Sequence, residues 1–519
     1  MKLTTNYKKS ALWLALFASS SQAGETINLG NDATLDWKGT ITYSAGMRLE
    51  EPDPVLAYNP KTGKGSVGDS NFDQYDMIGN GLYLLLEGHL RWDNFGFVAS
   101  ASTFYDHVYQ NDKFSHDAQK YSGGYTRLLD FYGYTSFPYG EYGYADIRVG
   151  RHVVAWGEGL FFPSISLAQG PTDAIKASVP GTEVKEILLP EDQVSMQLEV
   201  TPELSLLAQW QFNWQETLVP EPGTFFSTSQ AVGEGATCLT QPPGEPCVVA
   251  SRGANIEPGK TDQWGIGTRY RVTDVSEVGL YYLNYSDRIP LVETQYSLVP
   301  GTPGKYNIIY FDDIKLYGLT YSTNVGIASI AAEVSYKDGA PVFVEGALFG
   351  NAVPLASRGE VLQTNLNTIV NFGRNAIAES VNLTAEIAYV DILDADKRNI
   401  AGIPPSLPNP ESDKVYYDDH SLAVAATLIL SYPSFSEGWG LSIPIGYTGQ
   451  ISGRTLTGGV GGEGDHRARV GAELTHNESN ILLTLQYAGY FGNPDVGNPI
   501  KERPLSDRDN ISFTAKYAF

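Results

Sequence analysis

The chain is poor in sulfur: 519 residues contain two cysteines and four methionines. A disulfide-stapled scaffold or a cysteine-built metal cluster therefore cannot organise it. It also lacks long apolar runs. Mean hydropathy is −0.20, and beyond residue 18 no stretch approaches the roughly 20 apolar residues that a membrane-crossing helix requires. That excludes a helical membrane protein but not a β-barrel, whose alternating strands are invisible to hydropathy. Positive charge is scarce, with 35 Lys and Arg against 59 Asp and Glu and a net charge of −24, which argues against nucleic acid as a partner. What is abundant is glycine (54) and tyrosine (32). That composition suits a β-rich surface protein with many turns and aromatic belts, although a secreted β-solenoid would share much of it.

Both termini point to export. Lys2, Lys8 and Lys9 precede the apolar run Ala11 to Ala18 and the small-residue site Ser21-Gln22-Ala23, the layout of a secretory signal peptide cleaved after Ala23. The alternative, a membrane anchor, needs a longer apolar run. Removing residues 1–23 takes away three lysines and no acid, so the mature chain is more acidic still. At the other end, Ile511, Phe513, Ala515, Tyr517 and Phe519 alternate with small or polar residues. Successive Cβ atoms of a strand point to opposite faces, so these five would face lipid. A final aromatic resembles the signal read by the machinery that assembles barrels.

Period-two alternation recurs in eighteen segments, beginning near residues 35, 81, 96, 127, 143, 193, 204, 262, 277, 313, 327, 360, 380, 420, 438, 465, 479 and 508. Leu204, Leu206, Ala208, Trp210, Phe212 and Trp214 share one face, and Trp439, Leu441, Ile443, Ile445 and Tyr447 another. The connections alternate short and long throughout, as periplasmic turns and extracellular loops do. The pattern predicts an all-β fold, a transmembrane antiparallel β-barrel of about 18 strands over residues 24–519, in the outer membrane, with both termini on the periplasmic side. Trp37, Trp92, Trp439 and Phe519 fall at periplasmic ends. Trp214, Trp264, Tyr336, Tyr389, Tyr447 and Tyr487 fall toward outer ends, giving two girdles.

Such a barrel encloses an aqueous lumen unless something fills it. Inward positions include Glu87, His89, Arg148, Glu199, Arg269, Arg271, Glu333, Glu386, Arg467, Arg469 and Glu473, a wall of mixed charge, together with apolar Leu85, Tyr132, Tyr134, Leu207 and Leu482. The segment Val153 to Asp192 is the unusual loop. Val153, Val154, Trp156, Leu160, Phe161, Phe162, Ile165, Leu167, Ile175 and Val179 need burial that an exposed loop does not give. Folding into the lumen would supply it; a lid on the mouth or a protein contact is the alternative. Within it, Asp173 to Val179 is expected to form a short helix between Pro171 and Pro180-Gly181. Cys238 and Cys247 can close a loop disulfide in an oxidising compartment, the alternative being two free thiols.

The motifs of this region are Gly150-Arg151, Trp156-Gly157-Glu158, Pro171 with Asp173, Pro180-Gly181 with Glu183, Lys185 and Glu186, and Pro222-Gly223-Thr224 with Phe226-Ser227. In these the chain resembles the proteobacterial outer-membrane family named domain of unknown function one-three-zero-two. It departs from the family's Asn-Pro-x-Asp form, carrying Gly170-Pro171-Thr172-Asp173. The resemblance implies a barrel that passes hydrophobic or amphipathic small molecules or lipids across the outer membrane, together with an inner-membrane lipid-type transporter system. Outer-membrane lipid, lipopolysaccharide and the barrel-assembly machinery would be its other partners.

Candidate residues of the solute path or constriction are Arg148, Arg151, Trp156, Glu158, Phe161, Phe162, Asp173, Lys176, Glu183, Lys185 and Glu186. A substrate-selective porin for small polar or anionic solutes is the main alternative, with Arg148, Arg269, Arg271, Arg467 and Arg469 as a basic ladder. A lipid hydrolase is a second, but the seven histidines are scattered over strands, loops and a turn, and no Ser-His arrangement stands out. No phosphate loop, dinucleotide fingerprint or metal-spaced cluster is present, so neither cofactor nor metal is expected. The acidic runs Asp312-Asp313 and Asp418-Asp419-His420 read as solvated loops, since calcium requires more ligands.

Overall fold

In the computed structural model, the described residues are 24, 26–60, 65–140, 143–242, 244–297, 302–348, 350–476 and 478–519. The expected signal peptide, residues 1–23, lies outside them. Among the described residues, eighteen antiparallel strands form one closed barrel. They are β2 (Ala33–Arg48), β3 (Met77–Trp92), β4 (Phe95–Asp106), β5 (Thr126–Tyr139), β6 (Gly143–His152), β7 (Glu191–Glu199), β8 (Leu204–Gln211), β10 (Gln263–Thr273), β11 (Ser276–Tyr285), β14 (Ile314–Val325), β15 (Ala328–Leu348), β16 (Asn351–Gly373), β17 (Ser380–Ala395), β18 (His420–Ser436), β19 (Trp439–Gly453), β20 (His466–His476), β21 (Ile481–Phe491) and β22 (Asn510–Ala518). β1 (Ile27–Gly30) folds back on the start of β2. Three strands belong to the loops: β9 (Ala250–Arg252), β12 (Leu291–Gln295) and β13 (Gly304–Ile309) form a small sheet of their own.

Every predicted strand start except that near 360 falls within four residues of the observed one. Where a long loop was expected between the strands beginning near 327 and 360, β15 and β16 run on as one hairpin, Ala328 pairing with Val370 and Leu348 with Asn351. The rule of alternating short and long connections therefore fails here. The hairpin bulges at Gly339, whose φ is +80°, and its far half is buried among other loops: Val342, Val344 and Ala356 are at most 1 % exposed.

β22 closes the barrel against β2, from Thr40 paired with Ala518 to Arg48 paired with Asn510. The outer wall carries the apolar belt that lipid requires: Leu82, Val149, Ile266, Leu319, Leu366 and Leu485 are each 44–53 % exposed. In water such a continuous apolar ring would be an aggregation surface; in a bilayer it is solvated. A girdle runs over four adjacent strands, Trp264 lying 5.3 Å from Tyr282, Tyr282 5.1 Å from Tyr317 and Tyr317 6.1 Å from Tyr336. Trp214 is not part of it. β8 ends at Gln211, and Trp214 turns inward to pack 4.7 Å from Tyr310, 6 % exposed.

At the seam, Phe519 is buried on the outward face over Gly39, flanked by Trp37 and Tyr517. A methyl group at residue 39 would collide with the Phe519 ring. Gly39→Val is therefore expected to destabilise the closed barrel by about 1–3 kcal/mol, the usual cost of overpacking. Urea titration of the lipid-reconstituted protein, followed by tryptophan fluorescence, measures it, and an unchanged midpoint would contradict the fit.

Candidate functional site

The 153–190 segment leaves the wall after β6 and enters the lumen, as its apolar content demands. Its neck is fastened first. Arg151 grips Asp192 through two hydrogen bonds of 2.9 Å, and Gln193 donates to the His152 carbonyl at 2.8 Å. The His152 ring joins Ser195 Oγ at 2.7 Å through Nε2 and the Gly150 carbonyl at 2.9 Å through Nδ1. Histidine reading of the sequence missed this Ser-His contact. With His152 1 % exposed at the base of the inserted segment, the contact ties a side chain of β6 to one of β7.

From there the chain crosses to the far wall. The Trp156 indole stacks 5.8 Å from Tyr281, and Ile165, fully buried, fits against Gly318, where any side chain would clash. Phe162 packs with Ala388, Ala423 and Ala425, with Phe161 beside it. The turn between these anchors is held by two inward carboxylates. Glu333 of β15 accepts backbone N–H groups from Glu158 (2.7 Å), Gly159 (3.2 Å), Ser164 (3.2 Å) and Ile165 (3.0 Å). Glu386 of β17 accepts those of Leu160 (3.1 Å), Phe161 and Phe162 (3.1 Å), and an amide hydrogen of Asn365 at 2.8 Å. Asn365 and Gln363 donate to the Phe162 carbonyl, and Asn367 to that of Glu158. Both glutamates are 1 % exposed. A buried carboxylate is tolerable only with such partners, and the amides of an irregular turn need acceptors in turn, so each solves the other's desolvation.

The return limb crosses the lumen again. Gln169 bonds Gln209 and accepts from the Trp156 N–H, while buried Arg288 donates to the Ala168 carbonyl. The expected short helix is present as Ala174–Ala177, capped by Asp173, whose carboxylate accepts from the Lys176 N–H and from Arg127 and Tyr125. A second turn, Val184–Ile187, follows. Charged side chains then tie this limb to the wall beside the seam: Lys185 to Glu87 (2.7 Å) and Asp130 (3.0 Å), and Glu183 to Lys516 (2.6 Å). Lys176 and Glu186 face each other at 3.8 Å.

The structure thus separates the candidate residues into three groups. Arg151 serves the neck. Trp156 and Phe162 are buried anchors of the tip, with Phe161 and Glu158 half-buried next to them. Asp173, Lys176, Glu183, Lys185 and Glu186 line the helical limb. Arg148 stands apart on β6, exposed, its guanidinium 6.0 Å over the Tyr132 ring. The five arginines of the basic ladder lie on three separate walls, β6, β10 and β20. Arg269 is tied to Tyr281 and Glu277, and Arg467 to Asp465, so no ladder forms. Glu333 and Glu386 were legible as inward charges, but their partners lie 168–226 residues away in sequence.

Cavities flank the helical limb on both sides along the seam wall. On the periplasmic side lies one of about 750 Å³ lined by Lys38, Glu87, His89, Tyr132, Arg148 and Lys185, among others. On the outer side lies one of about 70 Å³, with Tyr83, Phe104, Ile175, Val179, Pro180 and Phe226 as its apolar wall.

The outer loops cover this arrangement, and Cys238 and Cys247 are joined in a disulfide within them. Leu218 is paired with the inserted segment, exchanging bonds with Thr172 and Ala174. Two residues earlier Glu216 bonds Tyr310, and nearby Glu221 accepts from the N–H groups of Glu234 and Gly235. Burial pushes both carboxyls up to about 7. A carboxyl raised above its unfolded value favours the fold when protonated. The contribution is complete below the ordinary glutamate range and is lost as pH rises through about 7. Hydrogen-exchange protection of residues 214–236, corrected for intrinsic rates, is therefore expected to fall between pH 5 and pH 8. The paired substitutions Glu216→Gln and Glu221→Gln are expected to flatten that dependence; protection that rises with pH would refute the sign.

A family model described as "Protein of unknown function (DUF1302)" matches residues 8–519. No curated protein sequence matches the chain. Among solved structures it is similar to Acinetobacter baumannii OccAB1, with a TM-score of 0.45 and 8 % identity over 96 % of this chain and 99 % of that one. It is also similar to Pseudomonas aeruginosa OccK2 (OpdF), crystallised with glucuronate, with a TM-score of 0.43 and 9 % identity over 93 % and 98 % of the two chains. For the A. baumannii outer membrane channel DcaP the TM-score is 0.39 and the identity 10 %, over 96 % and 100 %.

Proposed function

The chain belongs to the DUF1302 family, and we propose that it is an outer-membrane channel for hydrophobic or amphipathic small molecules, working with an envelope transport system. The observation that carries this reading is the inserted segment. It fills the centre of the lumen with apolar side chains, and the space left on its outer side has an apolar wall of Tyr83, Phe104, Ile175, Val179, Pro180 and Phe226 beside the polar residues Asp106 and Lys176. A hydrated sugar or ion gains nothing on entering such a space, whereas an apolar solute loses unfavourable contact with water. The outer pocket and the larger periplasmic cavity lie on either side of the helical limb, which Lys185 and Glu183 tie to the seam wall, so passage along that wall requires the limb to shift.

Planar-bilayer recording and liposome flux test the reading. The expected result is low ionic conductance and negligible sugar flux, with protein-dependent transfer of a lipophilic fluorescent probe into acceptor vesicles. Steady large conductance with sugar or organic-anion flux would establish the selective porin instead.

A further inference from the structure

Lys176 lines the outer pocket and is 4 % exposed. Its ammonium lies 3.5 Å from the ring centre of Phe104 and 4.3 Å from that of Tyr83, and among the described residues Nζ has no hydrogen-bond partner. Oε1 of Glu186, 3.8 Å away, also has none. Two buried charged atoms therefore face each other, too far apart to bond directly and beside a cavity whose other walls are largely apolar. Leaving such atoms unmatched is costly. The neighbouring charges are already engaged. Asp106 accepts from the Asn80 and Val108 N–H groups and from the Tyr83 hydroxyl, and Asp173 is held by Arg127 and Tyr125.

We propose that this pocket takes a neutral amphiphile with a hydroxyl head, an alcohol or a phenol, whose oxygen accepts from Lys176 Nζ while its O–H donates to Glu186 Oε1. The inference rests on the hydrophobic-channel reading and names the head group that the channel selects. A hydroxyl is both acceptor and donor, the two functions the pair lacks. An oxygen at hydrogen-bond distance, about 2.8 Å, from both atoms subtends close to a right angle, so neither side chain has to move far. Charge disfavours the alternatives. A carboxylate head would join Asp106, Asp173 and Glu186 against Lys176 and Arg127, and an ammonium head would meet Lys176 on the same aromatic faces.

The test is isothermal titration of the full chain in lipid nanodiscs with 1-octanol, octanoate and octylamine, subtracting empty nanodiscs. Octanol is expected to bind about tenfold more tightly than either charged analogue. Lys176→Met and Glu186→Gln are each expected to lower octanol affinity by about tenfold, one hydrogen bond to a charged group being lost. Heat-modifiable electrophoretic mobility reports that each variant is folded; should Lys176→Met fail to fold, Glu186→Gln carries the test alone. Equal or tighter octanoate or octylamine binding, or octanol affinity unmoved by substitution, overturns the hydroxyl assignment while probe transfer still upholds the channel. Absence of binding by all three overturns it as well, and loss of probe transfer is what overturns the channel itself.

Discussion

Glu333→Gln combined with Glu386→Gln is expected to turn a quiet barrel into a leaky one. Seven backbone N–H groups of the 158–165 turn end on these two side chains. Glutamine keeps one acceptor oxygen at each site but removes the charge that makes the bonds strong and replaces the other acceptor by a donor aimed at donors. Hydrogen bonds to charged groups are worth about 1.5–3 kcal/mol against about 1 kcal/mol for neutral ones, so the tip loses on the order of 3–5 kcal/mol of anchoring. That raises the detached population by roughly a hundredfold or more. Detachment opens the lumen on the far side from the seam. The measurement is single-channel conductance, with uptake of a large hydrophilic antibiotic as its cellular counterpart. The barrel wall makes its own hydrogen bonds, so urea unfolding of the strands should hardly change. An unaltered conductance would mean that Trp156, Ile165 and Phe162 hold the tip without the carboxylates, and would move the weight of the anchoring from charge to packing.

Why the strands could be read and the latch could not follows from the range of the forces. Alternation is local: each strand shows one face to lipid and one to the lumen, so Leu204 to Phe212 announces its own orientation. The pattern misled where the membrane no longer imposed it. Trp214 continues the alternation on paper, yet it lies three residues past the end of β8 and packs on Tyr310. The β15 and β16 extension escapes a sequence reading because Pro341 and Pro354 argue against strands, and because Pro341-Val342-Phe343-Val344 is an unbroken apolar run with no two-fold rhythm. The apolar excess of 153–192 gave the inserted segment away, since no exposed loop could carry it. The carboxylate fastening of its tip depends on pairs more than 160 residues apart, which no local pattern encodes. Glu333 and Glu386 look in sequence like any other inward charge.

Asp69→Ala is expected to be the most damaging single change in the outer loops. Asp69 is fully buried between two fully buried arginines, 2.8 Å from Arg48 and in contact with Arg508. Asp507 shares Arg48 at 2.8 Å. Arg48 also donates to the carbonyls of Asp69 and Phe72, and both guanidiniums lie over the Phe225 ring, at 5.8 and 5.1 Å. The cluster thus ties the outer end of β2, the helix Val67–Ser70, the loop before β22 and the 212–262 loop into one unit. Removing Asp69 leaves two buried cations sharing one carboxylate, a cost of about 3–5 kcal/mol, whereas replacing a buried ion pair with apolar groups of similar volume is often neutral. The double variant Asp69→Ala with Arg508→Met should therefore recover much of what Asp69→Ala alone loses. Hydrogen exchange of residues 66–76 and 505–510 reads the effect, with protection expected to fall by about a hundredfold or more in the single variant. A single variant as well protected as the parent would show that the loops are held by the Phe72, Tyr109, Phe114 and Phe225 packing instead. The distinction reaches the channel, because Thr224, Phe226, Asn510 and Ser512 line the outer pocket. If the cluster holds these segments, loosening it widens the mouth through which solute enters, and selectivity for apolar probes should fall together with protection.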